Sequence, residues 1–501
     1  MKKGYIKQSE RKNILFLGDD CRIPSGIGTM SREIIMGNAH RFNFFQLGAA
    51  IKHPEAGKIF DLSADINSQT DIDDAQVLVY PFDGYGNPEV VRGLIDKHDI
   101  DAIVHFTDPR YWQWLYRMSA ELRQKMPIFY YHIWDDLPAP HYNKPFYQSC
   151  DLLMGISKQS NNIAKIVLGG EGNFIDLDFP KLRTIESVTS SLPKVCYAPH
   201  GINEKTFYPL KDHETVDMRK RLFGDNHEED VNFVVFHNNR NIRRKMTSDL
   251  ILAFSLMYKL IKKEDPEQAE KIRLVLHTEA IDNNGTDLPR VIADVCPEIQ
   301  DLVVITNTKV SLEELNMLYN IADVVPNIAS NEGWGLSSTE AMLTGTPIVN
   351  NVTGGLQDQC RFADNDGNWI EFDEDFGSNH AGRYKRCGEW VKPVFPASIN
   401  IQGSPPTPYI FDDRCDSRDV AAALYSWWTT PAAERVECGM KGRAWAMSKE
   451  AGFTAERMCK TIGDAMQLCI DRFVPQPRFT LYNAQEEANK NKNKKTGIAL
   501  F

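Results

Sequence analysis

The most informative stretch of the chain, named the deciding stretch, is Asn331-Glu332-Gly333-Trp334-Gly335-Leu336-Ser337-Ser338-Thr339-Glu340-Ala341-Met342, followed by Leu343-Thr344-Gly345-Thr346-Pro347-Ile348-Val349. It predicts a loop, a short helix that ends at Gly345, and a buried strand that begins near Pro347. Glycines let backbone N–H groups approach a ligand, and the helix start behind them favours negative charge. Glu332 and Glu340 bracket that helix start, so a polyhydroxylated ligand could be held on both sides of a phosphate. An exposed loop before a capped helix is the alternative interpretation.

The same stretch resembles the signature of the retaining GT-B glycosyltransferases of the group 1, or family 4, type. In that signature two glutamates with seven residues between them enclose a glycine loop that contains an aromatic residue. The resemblance implies an α/β protein with two Rossmann-like, doubly wound parallel-sheet domains that face a central cleft. It also implies transfer of a sugar from a nucleotide-diphosphate donor to an acceptor hydroxyl, with retention of anomeric configuration.

Bulk composition is that of a two-domain globular protein. A chain of 501 residues exceeds the size at which a single hydrophobic core keeps growing. The net charge of -11 gives no general attraction for nucleic acid or an anionic membrane. Ten scattered cysteines without a C-x-x-C pair indicate reduced thiols. Because we see neither a signal peptide nor an apolar run of roughly 18 residues, we expect a cytoplasmic protein, with at most peripheral membrane contact.

The domain limits follow from composition and from the resemblance. We expect residues 1–210 to form an N-terminal acceptor domain and residues 211–453 to form a nucleotide-sugar-binding domain with an insertion at 357–409. That insertion contains Pro405-Pro406 and several aromatic residues, and it is expected to be an ordered acceptor-facing flap or an oligomer contact. In the resembled family the last helix, here about 454–475, packs back on the first domain. The polar, lysine-rich residues 476–501 are expected to be partly disordered.

The first half predicts a parallel sheet whose strand ends carry polar residues. A strand at 13–18 precedes a loop that contains Gly26 and Gly28, and a helical pattern follows from about Ser31. The resemblance places these two glycines near the donor phosphate, whereas a tight structural turn is the alternative.

Further strands at 75–80, 102–106 and 128–132 alternate with helices, which is typical of a doubly wound sheet. Ligands bind at the strand ends of such sheets. His105 and Asp108 lie at one such end, and His132 and Asp135 lie at another. The resemblance places His132 and Asp135 beside the transferred sugar, so they are stronger candidates for the site than His105 and Asp108. A packed, hydrogen-bonded histidine is the alternative in both cases.

Another histidine, His200, lies in a proline-histidine-glycine segment that closes the first domain in the resembled family. We count it with Asp108 and Asp135 as a residue of the acceptor side of the cleft.

A basic run follows the first strand of the second half, with four cations between Arg240 and Lys245. A guanidinium binds a diphosphate in a bidentate manner and an ammonium binds it as a point charge. A basic surface turn is the competing explanation. In the resembled family the register places Arg240 and Lys245 on the cations that bind the donor diphosphate, although asparagines flank Arg240 in place of the usual small residues.

The resemblance assigns the remaining roles. Glu332 would bind the sugar hydroxyls and Glu340 the nucleotide ribose. The predicted catalytic residues are Glu332, Arg240, Lys245 and His132. The other predicted donor contacts are Gly333, Trp334, Gly335, Leu336, Gly354 and Gly355.

Because cations can stabilise the leaving diphosphate, we expect no metal and no cofactor, only a nucleotide-sugar co-substrate, UDP- or GDP-linked. Replacing Glu332 or Lys245 by alanine is expected to lower the rate of transfer by orders of magnitude while the protein folds normally.

Several alternatives remain open from the sequence. The acceptor could be a polysaccharide, a lipid-linked glycan or a small-molecule glycan. Residues 110–117 interleave aromatics with cations, which would suit a phage-type DNA glycosyltransferase acting on hydroxymethylated bases, whereas a buried amphipathic helix is the other interpretation. A non-catalytic nucleotide-sugar-binding protein and an epimerase or phosphorylase on the same fold are further alternatives. The sequence does not give the oligomeric state.

Overall fold

The computed structural model describes residues 4–135, 137–169, 173–174, 194–372, 384 and 386–477. In these ranges the strands are β1 (Lys12–Asp19), β2 (Phe42–Ala50), β3 (Phe60–Asp61), β4 (Val77–Asp83), β5 (Ala102–Phe106), β6 (Ile128–His132), β7 (Leu152–Gly155), β8 (Asn173–Phe174), β9 (Lys194–Tyr197), β10 (Phe233–Asn238), β11 (Ile272–His277), β12 (Val303–Thr306), β13 (Val325–Asn327), β14 (Ile348–Asn351), β15 (Val391–Val394), β16 (Pro396–Ser404) and β17 (Thr407–Cys415).

The α-helices of the first half are α1 (Gly26–Asn38), α2 (Ser63–Gln69), α3 (Pro88–His98), α4 (Gln113–Arg117), α5 (Ser119–Leu122), α6 (Lys144–Gln148) and α7 (Lys158–Leu168). Those of the second half are α8 (Asp212–Phe223), α9 (His227–Asp230), α10 (Thr247–Glu264), α11 (Pro266–Ala269), α12 (Leu288–Val295), α13 (Leu312–Asn320), α14 (Leu336–Thr344), α15 (Leu356–Cys360), α16 (Ser417–Thr429), α17 (Ala432–Ala446) and α18 (Ala455–Asp471). Short 3-10 helices cover Gln8–Glu10, Pro109–Trp112, His141–Asn143, Arg243–Lys245 and Pro297–Leu302. No described helix is long and apolar enough to span a bilayer.

The first domain is built on one sheet with the order β3-β4-β2-β1-β5-β6-β7-β9-β8, in which the described pairs are parallel except β3 with β4. Alternate residues of β1 enter two different hydrophobic cores: Ile14 and Phe16 join one, and Leu15 and Leu17 join the other. Both faces of the sheet are therefore covered, which is the arrangement that parallel sheets require. Strand β2, in which eight of nine residues are buried, is not among the strands predicted from the sequence.

The second domain carries two short parallel sheets, β10-β11-β12 and β13-β14-β15, that meet where Val235 of β10 bridges to Val324. β10 again divides its side chains between two cores, with Val234 and Phe236 in one and Phe233 and Val235 in the other. The predicted fold class, two doubly wound α/β units, is confirmed.

The expected insertion at 357–409 is in part wrong. Its residues 391–394 form β15, a strand of the second sheet that pairs with β14 through Ile348↔Val391 and Asn351↔Val394. The sequence pattern did not reveal this strand because Lys392 and Pro393 interrupt the two buried valines. Residues 373–383 and 385 of the insertion, like the tail from 478, lie outside the described residues.

The chain passes between the domains twice, at adjacent points. Ile202 donates its N–H to the Phe453 carbonyl at 3.0 Å, and Ala455 donates to the Ile202 carbonyl at 2.9 Å. Helix α18 then lies on α1, where the Asn38 side chain donates to the Cys459 carbonyl at 3.0 Å. Residues 455–471 are thus part of the first domain in space, although they are encoded after the second.

Candidate active site

A cavity of about 990 Å³ lies between the two domains. The first domain contributes Asp19, Ser25, Gly26, Ile27, Phe106, Asp108, Arg110, Ile133, Trp134, Asp135, Ile156 and His200. The second contributes Asn238, Asn239, Arg240, Arg244, Lys245, Asn331, Glu332, Gly333, Trp334, Gly335, Leu336, Ser337 and Glu340, together with Gln402, Gly403, Ser404, Thr407 and Ile410 of the β16–β17 hairpin. The basic run and the deciding stretch, 87 positions apart at Lys245 and Glu332, therefore share one cavity.

Lys245 and Glu332 form the charged centre of this cavity. The Lys245 ammonium donates to the Glu332 carboxylate, and each residue is less than a tenth exposed. Burial would raise the pKa of Glu332, but the charges of Lys245 and Arg244 outweigh it and hold that pKa below its usual range. Burial in turn lowers the pKa of Lys245, against the opposing effect of Glu332. Glu332 is therefore a carboxylate at neutral pH, able to accept hydrogen bonds from hydroxyl groups.

The buried ion pair of Lys245 and Glu332 changes what is expected of their alanine variants. Removing either partner of a buried ion pair leaves an uncompensated buried charge, which costs about 3–5 kcal/mol. Alanine variants of Lys245 or Glu332 are therefore expected to lose stability as well as activity, so the expectation that they fold normally has to be dropped.

The basic run divides between the floor and the rim of the cavity. Lys245 lies on the floor, whereas the Arg240 side chain is 63% exposed and its Nε donates to Asp282 at 2.9 Å. Between them, Arg244 donates from Nη1 to the Asn331 carbonyl at 2.7 Å and lies 3.4 Å from Glu332. The sequence analysis did not single out Arg244, although it belongs to the same run of cations.

The glycine loop has the close approaches that glycine permits. Gly335 caps α14 with φ of 85°, and a Cβ there would lie 2.4 Å from Leu356 Cδ2. The start of α14 is thus presented to the cavity, where its dipole favours an anionic group. Trp334 lies in the same loop, but its indole is only 2% exposed and donates to Thr339 Oγ1 at 3.0 Å. The Trp334 side chain is therefore a core residue and does not offer its ring face to a ligand.

Glu340 lies on the first turns of α14 and faces the cavity beside Asn238. It accepts a hydrogen bond of 2.5 Å from the Tyr319 hydroxyl, which in turn accepts one of 3.0 Å from Asn238. Burial raises the pKa of Glu340 to about 7, with the Tyr319 hydrogen bond acting in the opposite direction. This carboxyl group consequently changes charge near neutral pH.

The glycine pair at 354–355 does not line the cavity, contrary to the expected donor contact. A Cβ on Gly354 would lie 2.1 Å from the Glu332 carbonyl oxygen, and Gly355 donates its N–H to the same oxygen at 2.9 Å. The pair therefore supports the loop of Glu332 from behind.

Gly26 and Gly28, the other predicted glycine pair, differ in their position relative to the cavity. Helix α1 begins at Gly26, five residues earlier than expected, and Gly26 lines the cavity. Gly28 donates to Ser25 Oγ at 2.9 Å inside the helix start, and it does not reach the cavity. The tight structural turn is thus the correct interpretation for Gly28.

His132 is not in the cavity either. It is fully buried, its Nε2 lies 2.7 Å from the Tyr147 hydroxyl, and burial lowers its pKa to about 3. The alternative of a packed, hydrogen-bonded histidine holds here. His200 does line the cavity, where its Nδ1 is 2.8 Å from the Tyr131 hydroxyl and burial lowers its pKa to about 3, so that it presents a neutral imidazole.

Carboxylates dominate the first-domain wall. Asp108 and Asp135 line it as expected, and Asp108 is held by the Nε of Arg110 at 2.9 Å. Asp19 and Ser25 also line it, with the Ser25 hydroxyl donating to Asp19 at 3.1 Å. Burial raises the pKa of Asp19. The rule that ligands bind at strand ends would have found Asp19, since it is the last residue of β1.

The segment proposed for stacking bases is largely buried. Trp112 and Leu115 are fully buried and Tyr116 is 5% exposed, whereas Tyr111 is 55% exposed. Most of its aromatic surface therefore packs against the sheet, as the alternative interpretation requires.

Two Rossmann-like domains that face one cavity define the GT-B architecture. No family model matches the chain. A segment of 94 residues is 36% identical to the D-inositol 3-phosphate glycosyltransferase of Stackebrandtia nassauensis, covering 18% of this chain and 21% of that protein. The similarity thus spans about a fifth of the length of this curated relative.

The likeness to solved structures covers most of the chain. The Anabaena protein HepE, solved with UDP and glucose, matches with a TM-score of 0.57 and 15% identity over 91% of this chain and 100% of that one. Sucrose-phosphate synthase from Thermosynechococcus elongatus matches with a TM-score of 0.60 and 15% identity over 92% and 100%. At this identity the likeness shows a shared GT-B fold.

Proposed function

We propose that the protein is a retaining glycosyltransferase that moves a sugar from a nucleotide-diphosphate sugar to an acceptor hydroxyl. One observation carries the proposal: the Lys245–Glu332 pair, Arg244, Glu340 and the start of α14 all meet in a single cavity between the domains. Each of these groups suits one part of such a donor. The curated relative is named as a glycosyltransferase, which supports the same class.

The electrostatics suit departure of a diphosphate. As the bond between the sugar carbon and the phosphate oxygen breaks, negative charge grows on the diphosphate. Lys245, Arg244 and the start of α14 would stabilise that charge, and Arg240 at the rim could add to it. Glu332, ionised and held from behind, would accept hydrogen bonds from sugar hydroxyls. Glu340 would accept them from the ribose.

Retention is proposed from the sequence resemblance. In a front-face displacement, the acceptor oxygen bonds to the sugar carbon on the side from which the diphosphate leaves. The acceptor proton then passes to the departing phosphate oxygen, so no protein nucleophile is required. We further propose that the reaction is metal-independent, because side-chain cations already face the position of the diphosphate.

UDP is the nucleotide we propose first. HepE, which has the same fold, was solved with UDP and with UDP-glucose. The ten cysteines all lie in the described part of the chain and none forms a disulfide there, which fits the cytoplasmic location that we propose.

A thermal-shift screen of UDP, GDP, ADP and their sugars tests the donor, because a ligand that binds only the folded state raises the melting temperature. We expect the largest increase with UDP or UDP-sugars. Slow hydrolysis of the matching nucleotide sugar without acceptor would separate an enzyme from a binding protein. No response to any nucleotide would contradict the proposed function, and binding without hydrolysis or transfer would favour the binding protein.

A further inference from the structure

The β16–β17 hairpin lines the cavity but belongs neither to the deciding stretch nor to the basic run. Its strands pair antiparallel from Pro396↔Cys415 to Ser404↔Thr407 around a turn at Pro405-Pro406. A Cβ on Gly403 would lie 2.5 Å from the Pro408 carbonyl oxygen, so the tip requires glycine at this point.

The base of the hairpin is fastened to the second domain. Asp413 donates its N–H to the Ser330 carbonyl at 3.1 Å, next to the deciding stretch. The Asp413 carboxylate accepts from the Thr353 hydroxyl at 2.7 Å, and its carbonyl accepts from the Asn351 side chain at 2.9 Å. The hairpin is therefore positioned by the same loops that position Glu332.

Its middle is fastened to the first domain. The Tyr409 hydroxyl donates to the Ala139 carbonyl at 3.1 Å, and the Tyr142 hydroxyl donates to the Tyr409 carbonyl at 2.8 Å. The two tyrosine rings meet edge to face, with their centroids 4.8 Å apart. Phe411 adds a backbone hydrogen bond of 2.5 Å to Leu137. The hairpin thus bridges the two domains beside the cavity.

Gln402, Ser404 and Thr407 of the tip line the cavity with neutral side chains, and the Gln402 amide donates to the Asp412 carboxylate at 2.6 Å, which leaves its carbonyl oxygen as the acceptor. Thr407 is 6% exposed, and its hydroxyl has no hydrogen-bond partner among the described residues. Buried hydroxyls are nearly always paired, and Thr407 is a lining residue of the cavity, so we infer that the missing partner of its covered hydroxyl comes from the cavity after a small rotation of the side chain.

The charge of the surrounding walls limits what that partner can be. Among the described residues on the first-domain wall, Asp19, Asp108 and Asp135 face a single cation, Arg110, which Asp108 already binds. On the opposite wall, Lys245 and Arg244 lie beside Glu332, where the donor diphosphate would bind, and Arg240 at the rim is bound to Asp282. A second phosphate on the acceptor side would meet like charges, which disfavours binding.

On the basis of the proposed function, we propose that the hairpin tip is one wall of the acceptor subsite, and that the reactive end of the acceptor is an uncharged, polyhydroxylated unit. Thr407 and Gln402 bind hydroxyl groups of that unit on one side. The carboxylates of the first domain accept hydrogen bonds from it on the other side.

The test is steady-state transfer from the nucleotide sugar found by thermal shift to unphosphorylated mono- and disaccharides and to their phosphate esters. Thr407→Val removes the hydroxyl and keeps the shape, whereas Thr407→Ser keeps the hydroxyl. We expect Thr407→Val to raise the acceptor KM about five- to tenfold, as for loss of one hydrogen bond, with unchanged kcat, donor KM and donor hydrolysis. Thr407→Ser should behave as wild type.

Gln402→Ala gives a second variant should Thr407→Val fold poorly, and it should raise the same KM. Asn400→Ala, on the exposed part of the hairpin and outside the cavity, is the matched control and should change nothing.

The possible failures are distinguishable. Absence of nucleotide binding by the wild type would overturn the proposed function. Nucleotide binding and donor hydrolysis, together with an acceptor KM that neither Thr407→Val nor Gln402→Ala alters, would overturn only the hairpin assignment. Preference for phosphate esters, or transfer to none of the uncharged sugars, would overturn the acceptor class.

Discussion

The part of the cavity that we propose for the donor and the part that we propose for the acceptor, named the donor half and the acceptor half, are built in different ways. The side chains of the donor half include charged groups, and they all lie within a segment of about a hundred residues. In this segment Lys245 donates a hydrogen bond to Glu332, and Tyr319 donates one to Glu340. The acceptor half combines strand ends near Asp19 and Asp108 with a hairpin that begins at Pro396. Under the proposed function, the groups that stabilise the leaving diphosphate are therefore close together in sequence, whereas the groups that select the acceptor are far apart in sequence.

The largest effect is expected from Lys245→Ala, which removes the buried cation of the donor half. We expect transfer to fall by about 10²–10³-fold, as for loss of one preorganised electrostatic contact, together with a lower melting temperature. Initial rates and thermal denaturation measure the two effects. Arg243→Ala is the matched control, because this neighbouring cation is exposed and does not line the cavity. Equal losses from both variants would show that the run acts only through its overall charge.

A smaller effect is expected from pH, through Glu340. Because its pKa is about 7, the ribose contact that we propose for Glu340, which needs the carboxylate as acceptor, should strengthen as the pH rises. We expect the UDP dissociation constant to fall about tenfold between pH 6 and pH 8, following the ionised fraction, and to level off above. Titration calorimetry at several pH values measures it. Glu340→Gln should flatten the profile, and an unaltered profile in that variant would remove Glu340 from the donor half.

Glu340 also makes the free energy of unfolding depend on pH. Its folded pKa lies above its ordinary value of 4.5, so the folded state holds the proton more tightly. The contribution of Glu340 to the free energy of unfolding is therefore complete below about pH 4.5 and is lost as the pH rises through about 7. Glu340→Gln should lose this pH dependence in thermal denaturation.

His132→Gln separates a catalytic role from a packing role. Because His132 is fully buried against Tyr147 and lies outside the cavity, we expect kcat/KM within about twofold of wild type and a lower melting temperature. A loss of a hundredfold in kcat, with normal folding, would restore the role that the sequence resemblance assigned to it.

The smallest effect is expected from chelation. If side-chain cations neutralise the diphosphate, then incubation with EDTA should leave the transfer rate unchanged. Activity that disappears with EDTA and returns with added Mg²⁺ or Mn²⁺ would show that the donor half described here is incomplete.

Much of the donor half could be predicted from the sequence, because its groups belong to short patterns. Helix α14 ends at Gly345, which adopts φ of 79°, as the glycine at that position predicts. The chemistry of the basic run predicted its place at the cavity, but not the division between buried Lys245 and exposed Arg240. That division depends on which side chain Glu332 and Asp282 bind, and both lie far along the chain.

The acceptor half could not be predicted to the same extent. Whether a histidine after a buried strand points to the cavity or to the core depends on the neighbours of that strand, which is why His132 and His200 differ. The family resemblance predicts donor contacts for the glycines at 354–355, but here their close approach is to the Glu332 backbone. Among the hairpin residues only Pro405-Pro406 gave a local signal, and it marked the turn without showing its neighbours.

The adjacent crossing points at Ile202 and Phe453 have an evolutionary consequence. The chain leaves the first domain after Ile202 and returns to it at Phe453, and these two residues are hydrogen-bonded to each other. Residues 203–453 are therefore, in topology, a domain inserted into the first domain. Recombination at these two points could exchange the second domain without breaking the sheet of the first domain. The hairpin belongs to the inserted domain but contacts the first domain through Tyr409. A successful exchange would therefore also have to preserve the surface around Ala139 and Tyr142.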